Sequence, residues 1–274
     1  MNHKNCALKI VPLVIVALML AGMTGCSDKT TNAEKAPALP PQSSFIMDFS
    51  GFSNQSLSAG VALDALSRVN WGQSALRLAI WNLVLTVNLV VPTAAFVEAF
   101  NHEPVRQTDG SWEWSYSVLA GVIHTCRLNG KVVGDQVQWR MYISKAGEYN
   151  DYLWYSGSHN LAATQGSWTV NRNPNQSNPY LQIDWRRNPT AGTGDLKYIN
   201  VIPGDAENGG YIFYGSLATS GYDRFYQIYD KVQDNLAEIE WNHLEGNGRV
   251  KDQSSYGDSN WHCWDTNLDD IACP

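Results

Sequence analysis

The run from Ser74 to about Phe100, SALRLAIWNLVLTVNLVVPTAAFVEAF, limits what this chain can fold into more than any other stretch. Between Ala75 and Val91 its polar residues are Arg77, Asn82, Thr86 and Asn88. At helical pitch these scatter around the axis and form no polar face. A helix of that kind is either a membrane span or the buried centre of a fold. Closed by Pro92 and carrying an Arg and two Asn, the apolar stretch falls short of the roughly 20 residues a span needs. The reading adopted is therefore a helix buried inside the fold. Ser74 suits its N-cap, Pro92 should break or kink it, and 93–100 reads as a short resumption. Upstream, Phe45 to Phe52 reads as a short opening strand and Val61 to Val69 as a first helical segment.

From Asp109 onward the hydrophobic period changes from helical to two. Trp112, Trp114, Tyr116 and Val118 alternate with Glu113, Ser115 and Ser117. The same alternation places Val137, Trp139, Met141 and Ile143 on one face, then Leu181, Ile183 and Trp185, then Ala237, Ile239 and Trp241. Further strands are expected near 121–129, 151–156, 166–171, 195–202, 210–216, 224–230 and 247–252. Turn signals set them apart: Asn129-Gly130, Pro203-Gly204-Asp205, Asn208-Gly209-Gly210 and Gly246-Asn247-Gly248. About eleven closely spaced strands make an antiparallel meander, and a wide sheet with one dry face must curl to cover it. The expected fold is mainly β, a meander curling into an open or half-closed barrel around the helix. The alternative is a β-sandwich with the helix outside.

The N-terminus carries an address. Lys4 and Lys9 precede the apolar run Ile10 to Leu20, and Ala21-Gly22-Met23-Thr24-Gly25-Cys26 follows. This is a signal-peptide pattern, and it resembles the bacterial lipoprotein signal, in which small residues precede a Cys that becomes the lipidated first residue. Met23 stands where that family usually has Leu. The resemblance implies lipidation at Cys26 and a partner membrane reached through the lipid anchor. Ser27 in place of Asp after the Cys implies the outer membrane, on its periplasmic side or at the surface. Residues 1–25 are then the signal peptide, 26–44 the lipidated Cys with a Pro-containing flexible tether, and 45–274 a single domain. Cleavage removes two of the 19 basic residues and none of the 26 acidic ones, leaving a net charge of −9. Such a chain repels polyphosphates, so nucleic acid is excluded as a partner.

By architecture alone, a lipid-anchored unit of some eleven antiparallel strands wrapped on helices also resembles the periplasmic lipoprotein-carrier family (LolA and LolB). In that family a curved sheet holds acyl chains. No residue carries over from it.

In an oxidising compartment cysteines pair. Cys263 and Cys273 would close a short loop, for which chain entropy gives about 2.5 kcal/mol. Cys126 is then a buried free thiol; alternatively it pairs with one of the terminal two. His124-x-Cys126 and His262-Cys263 lack the tight paired spacing of zinc ligands, so no metal and no cofactor are expected. His159 and His243 read as surface or strand-face residues. Glu238 and Glu240 share a strand face, and paired carboxylates suit glycoside hydrolysis, but that face is the wet one. Asp184, beside Arg186 and Arg187, reads as a surface ion pair, while Asp269 and Asp270 align only if their loop allows it. Nucleophile-elbow, phosphate-loop and dinucleotide signatures are absent from the sequence, so no catalytic residue is assigned. Trp154 and Tyr155, in DYLWYSG near a turn, are the expected exposed, ligand-facing aromatics.

Three functions compete. The first is a non-enzymatic envelope lipoprotein binding or carrying an apolar ligand, which predicts a cavity between helix and sheet. The second is a surface glycan-binding module using Trp and Tyr, which predicts an exposed aromatic platform. The third is a hydrolase whose carboxylates face each other across a cleft.

Overall fold

The computed structural model describes residues 35–53, 67–218 and 221–274. The expected signal peptide, Cys26 and the 61–66 part of the first expected helical segment lie outside the described residues. All fourteen strands pair antiparallel with their neighbours in sequence, in one sheet. They are β1 (Val105–Arg106), β2 (Trp112–Ala120), β3 (Val122–Val133), β4 (Gln136–Lys145), β5 (Tyr149–Asn160), β6 (Gln165–Asn173) and β7 (Gln176–Asn188). The order continues with β8 (Thr193–Asn200), β9 (Tyr211–Ser216), β10 (Arg224–Asp230), β11 (Asn235–Trp241), β12 (Gly248–Lys251), β13 (His262–Trp264) and β14 (Asp270–Ile271). β1 and β14 are its two edges, and the sheet does not close. The eleven strands expected from alternation and turn signals are β2 to β12. Missed were three pieces of two or three residues, too short to show a period.

Alternation sorts the faces as expected. Val137, Trp139, Met141 and Ile143 are buried, as are Leu181, Ile183, Trp185, Ala237, Ile239 and Trp241; on β2 the outer members Trp112 and Val118 are half-buried. The large inward rings fit because glycines make room for them. Trp139 lies directly across from Gly130, Trp168 from Gly157, Trp185 from Gly166 and Trp264 from Gly248. A Cβ on any of these glycines would come within 2.9 Å of the facing indole. Such pairs of glycine and aromatic ring pin the register of a curved sheet. They also correct one expectation: Asn129-Gly130 is not a turn but the interior of β3, where Gly130 accommodates Trp139. The β3–β4 hairpin turns four residues later, at Gly134 (φ 63°).

The chain's own N-terminal segment fills the concave side. Residues 36–53 run across it without forming the expected strand; Gln42–Ser44 is a 3-10 turn and α1 (Ser50–Ser53) a single helical turn. Phe45 is fully buried, with Phe96, Tyr155 and Trp168 at ring distances of 5.0, 4.9 and 6.0 Å. Its carbonyl accepts from the Tyr198 hydroxyl at 2.7 Å, and the Tyr226 hydroxyl donates to the Asp48 carbonyl. The tether expected over 26–44 therefore ends sooner. Ala36 and Leu39 pack against the core and Ser44 is buried, because the small and prolyl residues before Phe45 fit beneath large rings.

α2 (Val69–Glu98) is one helix of 30 residues. It starts five residues before Ser74, which is no cap; the Ser74 hydroxyl donates to the Asn70 carbonyl at 3.0 Å. Pro92 does not end it. That ring is buried on the packed side, where tertiary contact holds the turns on both flanks. α2 touches β2 near one edge of the sheet and β12, β13 and β14 at the other, bridging the open seam. The Tyr116 hydroxyl on β2 donates to the Ala95 carbonyl at 2.5 Å. Burial is one-sided, which corrects the expectation of a wholly buried helix. Leu78, Leu85, Leu89 and Phe96 are buried, while Leu83 and Val87 are 65% and 64% exposed. The physical reason is that Phe45 to Phe52 already occupies the inside, so α2 lies over the seam instead of within it.

Two substitutions two residues apart test this one-sided packing. Leu85→Ala should cost about 2–5 kcal/mol through the cavity it leaves, whereas Leu83→Glu should stay within about 0.5 kcal/mol; chemical denaturation of both reads the difference. Gly166→Ala should cost about 1–3 kcal/mol, since its Cβ would lie 2.4 Å from the Ser158 carbonyl and 2.9 Å from the Trp185 ring.

Candidate functional site

The site is the surrounding of α2. Its N-terminus is captured from the far end of the chain. The Asp270 carboxylate accepts from the backbone N–H groups of Val69 (3.0 Å) and Asn70 (2.9 Å). These are among the four donors a helix start leaves unpaired, and an anion there also meets the positive end of the helix dipole. Beside it, Asp269 accepts from the Ser67 hydroxyl and from Arg68 Nε, both at 3.2 Å, and the Asn70 side chain donates to the Cys263 carbonyl at 2.9 Å. Cys263 and Cys273 are disulfide-bonded across ten residues and hold this loop closed. Asp269 and Asp270 thus seat the helix and do not form a carboxylate pair.

Two turns further along, Arg77 pairs with Asp252 and donates to the hydroxyls of Ser254 (2.9 Å) and Ser255 (3.0 Å). Asp252 is nearly inaccessible. It caps α3 (Gln253–Tyr256) by accepting from the Ser254 N–H and also accepts from the Asn235 side chain at 2.8 Å. Burial pushes its carboxyl up, but the hydrogen bonds from Asn235, Ser255 and Ser254 and the charge of Arg77 outweigh it, leaving a net value below the ordinary one.

Apolar clefts open on both flanks of α2. One, of about 330 Å³, lies between the helix and the β9–β10 region and is lined by Ile80, Trp81, Val84, Ile228 and Tyr229, with Arg77 and Glu207 at its polar side. Another, of about 540 Å³, is lined by Met47, Phe49, Leu89, Val97, Val118 and Tyr198, with Asn82, Thr86 and Glu98 among its polar groups. Both are of the size that takes a small-molecule ligand.

The sequence-assigned aromatics are elsewhere. Trp154 and Tyr155 are buried, not exposed. Met141 pairs with Tyr155 and Tyr142 with Leu153, so Trp154 is the extra residue of a β-bulge and both rings turn inward. Trp154 packs with Tyr149 and Tyr152, and Tyr155 with Phe45 and Trp168. His159, read as a surface or strand-face residue, is buried between Trp139 (5.8 Å) and Trp185 (6.1 Å). Burial holds its imidazole below the ordinary value, against the opposing pull of the Asn160 carbonyl.

Glu238 and Glu240 pair with Lys251 and Arg249, strand to strand, on the wet face. Asp184 lies 2.8 Å from the Gln182 amide, and Arg186 pairs with Asp195 instead. Exposed His243 pairs with half-buried Asp223. Cys126 is a buried free thiol, as the simpler reading had it, and burial pushes it up to about 12. Among the described residues no three His, Cys, Asp or Glu side chains gather as metal ligands. Sequence reasoning expected a cavity between helix and sheet under its first function but assigned no residue to its lining; the signal available was the surplus of large aliphatics on α2, more than one buried face can use.

Comparison with known protein families, with curated proteins and with solved structures finds no match to this chain.

Removing the helix seat should be measurable. Asp270→Ala should cost about 1 kcal/mol, the usual worth of a side-chain cap, with faster amide exchange confined to the first turn of α2. Lowering the pH should weaken the Arg77–Asp252 cluster. A depressed folded value contributes stability above the unfolded value of about 3.9 and loses it as pH falls through the folded one. Asp252→Asn should remove that part of the acid sensitivity, read from melting midpoints between neutral and acidic pH.

Proposed function

We propose that this chain is a membrane-anchored lipoprotein of the cell envelope, attached through Cys26 and facing the periplasm or the surface from the outer membrane. It is non-enzymatic and binds or carries an apolar ligand along α2. The observation that carries this reading is the pair of apolar clefts flanking α2, one of them bordered by the Arg77 guanidinium. A chain-like ligand with a polar end suits such a site, the tail against aliphatics and the head near Arg77 or Glu98. The burial of Trp154 and Tyr155 removes the support those residues lent to a glycan platform. The neutralised Glu238 and Glu240 likewise lend none to hydrolysis.

Two measurements test the two halves separately. Cys26→Ala should release the protein from membranes, since acyl chains supply about 0.8 kcal/mol per buried methylene; sedimentation of the variant with membranes would refute the anchor. Native mass spectrometry of protein extracted from its own membrane should show an added acyl-bearing mass, lost when Val118→Trp fills the larger cleft. An unchanged mass in the wild type, with the clefts empty, would refute the ligand.

A further inference from the structure

Two arginines stand on the otherwise mostly apolar inner face of the sheet. Arg187 continues the inward series Leu181, Ile183 and Trp185 on β7, and Arg224 begins the series that runs on through buried Tyr226 and Ile228 on β10. Strand register sets both in one row. Arg187 lies across from Gly194 and Arg224 from Ser216, while the pairing of Asp195 with Gly215 makes Gly194 and Ser216 neighbours. Over β7 to β10 the row therefore reads Arg187, Gly194, Ser216, Arg224, two long cations framing a glycine and a serine. Three strand spacings separate the arginines, about 14 Å on a flat sheet, and inward curling brings their tips closer.

This notch belongs to a cavity of about 400 Å³, lined also by Ser43, Ile46 and Asp48 of the N-terminal segment and by the β7–β8 turn. Arg187 is half-buried, and its Nε donates to the Ala163 carbonyl at 2.6 Å, which fixes the plane of the guanidinium. Among the described residues no carboxylate pairs with it, and its two terminal nitrogens bond no acceptor. Arg224 Nη1 donates to the Asp223 carbonyl at 3.0 Å and reaches the Asp223 carboxylate only at 3.4 Å, where His243 is the nearer partner. The acids of the cavity are engaged elsewhere: Asp195 pairs with Arg186, and Asp48 accepts from the Ser50 N–H at 2.8 Å. Three arginines against two aspartates leave the lining cationic, in a chain of net charge −7.

We infer that the notch binds a small oxyanion, the carboxylate or phosphate group of an organic ligand, between Arg187 and Arg224. A guanidinium whose Nε is taken still offers its two terminal nitrogens as a fork, and that fork matches two oxygens of either group. The hydroxyls of Ser43, Thr193 and Ser216 line the same cavity and donate to the remaining oxygens. Gly194 keeps the floor low, since a Cβ there would lie 2.9 Å from the Arg186 carbonyl and 3.6 Å from the Arg187 Cβ. Holding a half-buried cation without a counter-charge costs free energy, and a bound anion offsets that cost. An extended polyanion fits less well, because beyond the notch it meets an acidic chain. The inference depends neither on the lipid anchor nor on the clefts beside α2.

The test uses the exported Cys26→Ala chain, with inorganic phosphate and citrate as probes in isothermal titration calorimetry at low ionic strength. At least one probe should bind saturably, one per chain, with a millimolar or tighter Kd. Arg187→Gln and Arg224→Gln should each weaken that binding about tenfold or more, as loss of a charge-assisted hydrogen bond does. Ser216→Val fills the notch while keeping both cations, and should abolish binding. Arg140→Gln, at an exposed arginine on the outer face, should leave it unchanged. Melting midpoints identify any variant that fails to fold, and the remaining notch variants then carry the test. Absence of saturable binding by both probes overturns the inference, as does binding that every folded notch variant retains. Sedimentation with phosphatidylglycerol vesicles, lost in Arg187→Gln, would make the anion a lipid headgroup; probe binding without sedimentation would make it a free one, and either outcome keeps the site.

Discussion

A sheet with one dry face has to bury that face, and the rest of this structure follows from how it does so. Fourteen strands in sequence order give a surface too wide to stay flat and too open to cover itself. Curling brings the inward rings of distant strands together, and the four pairs of glycine and tryptophan let the sheet curl without collision. The space that remains is taken first by Phe45 to Phe52, whose backbone is held by the hydroxyls of Tyr198 and Tyr226. α2 comes second and bridges the seam.

That order explains a helix with two apolar sides. Leu78, Leu85 and Leu89 complete the core, and their burial accounts for the inward half of the sequence. Among the described residues, none covers Leu83 and Val87, which are 65% and 64% exposed. Exposing large aliphatics in a contiguous row costs solubility and marks an interaction surface. The clefts on the flanks of α2 and the bare row along its outer side are thus one consequence of a helix set over the opening and not within it.

The two ends of the chain meet at the helix. Residues near 270 supply the carboxylates that receive the first amides of α2, and the Cys263–Cys273 disulfide keeps those carboxylates in place. Arg77 and Asp252 repeat the arrangement two turns on, with a buried acid held charged by its hydrogen bonds and its cation. Position and tilt of the helix, and with them the width of both clefts, rest on contacts more than 170 residues apart in sequence.

Much of this was legible beforehand. Period-two alternation and turn signals together located β2 to β12, and alternation named the inward face of β2, β4, β7 and β11, because burial on one side writes itself into every second residue. The Cys263–Cys273 pairing was the one favoured from spacing and an expected oxidising compartment. Three things were not. A glycine in a strand and a glycine in a turn look alike until the facing tryptophan is known, so Gly130 was misplaced. A bulge shifts parity by one residue without a sequence mark, so Trp154 and Tyr155 were put outside. The cap of α2 is Asp270, some 200 residues away, so local signals pointed to Ser74. Sequence by itself determined which residues avoid water. Tertiary structure decided which apolar surface covers which, since two apolar segments, Phe45 to Phe52 and α2, competed for one concave face and only packing volume could rank them.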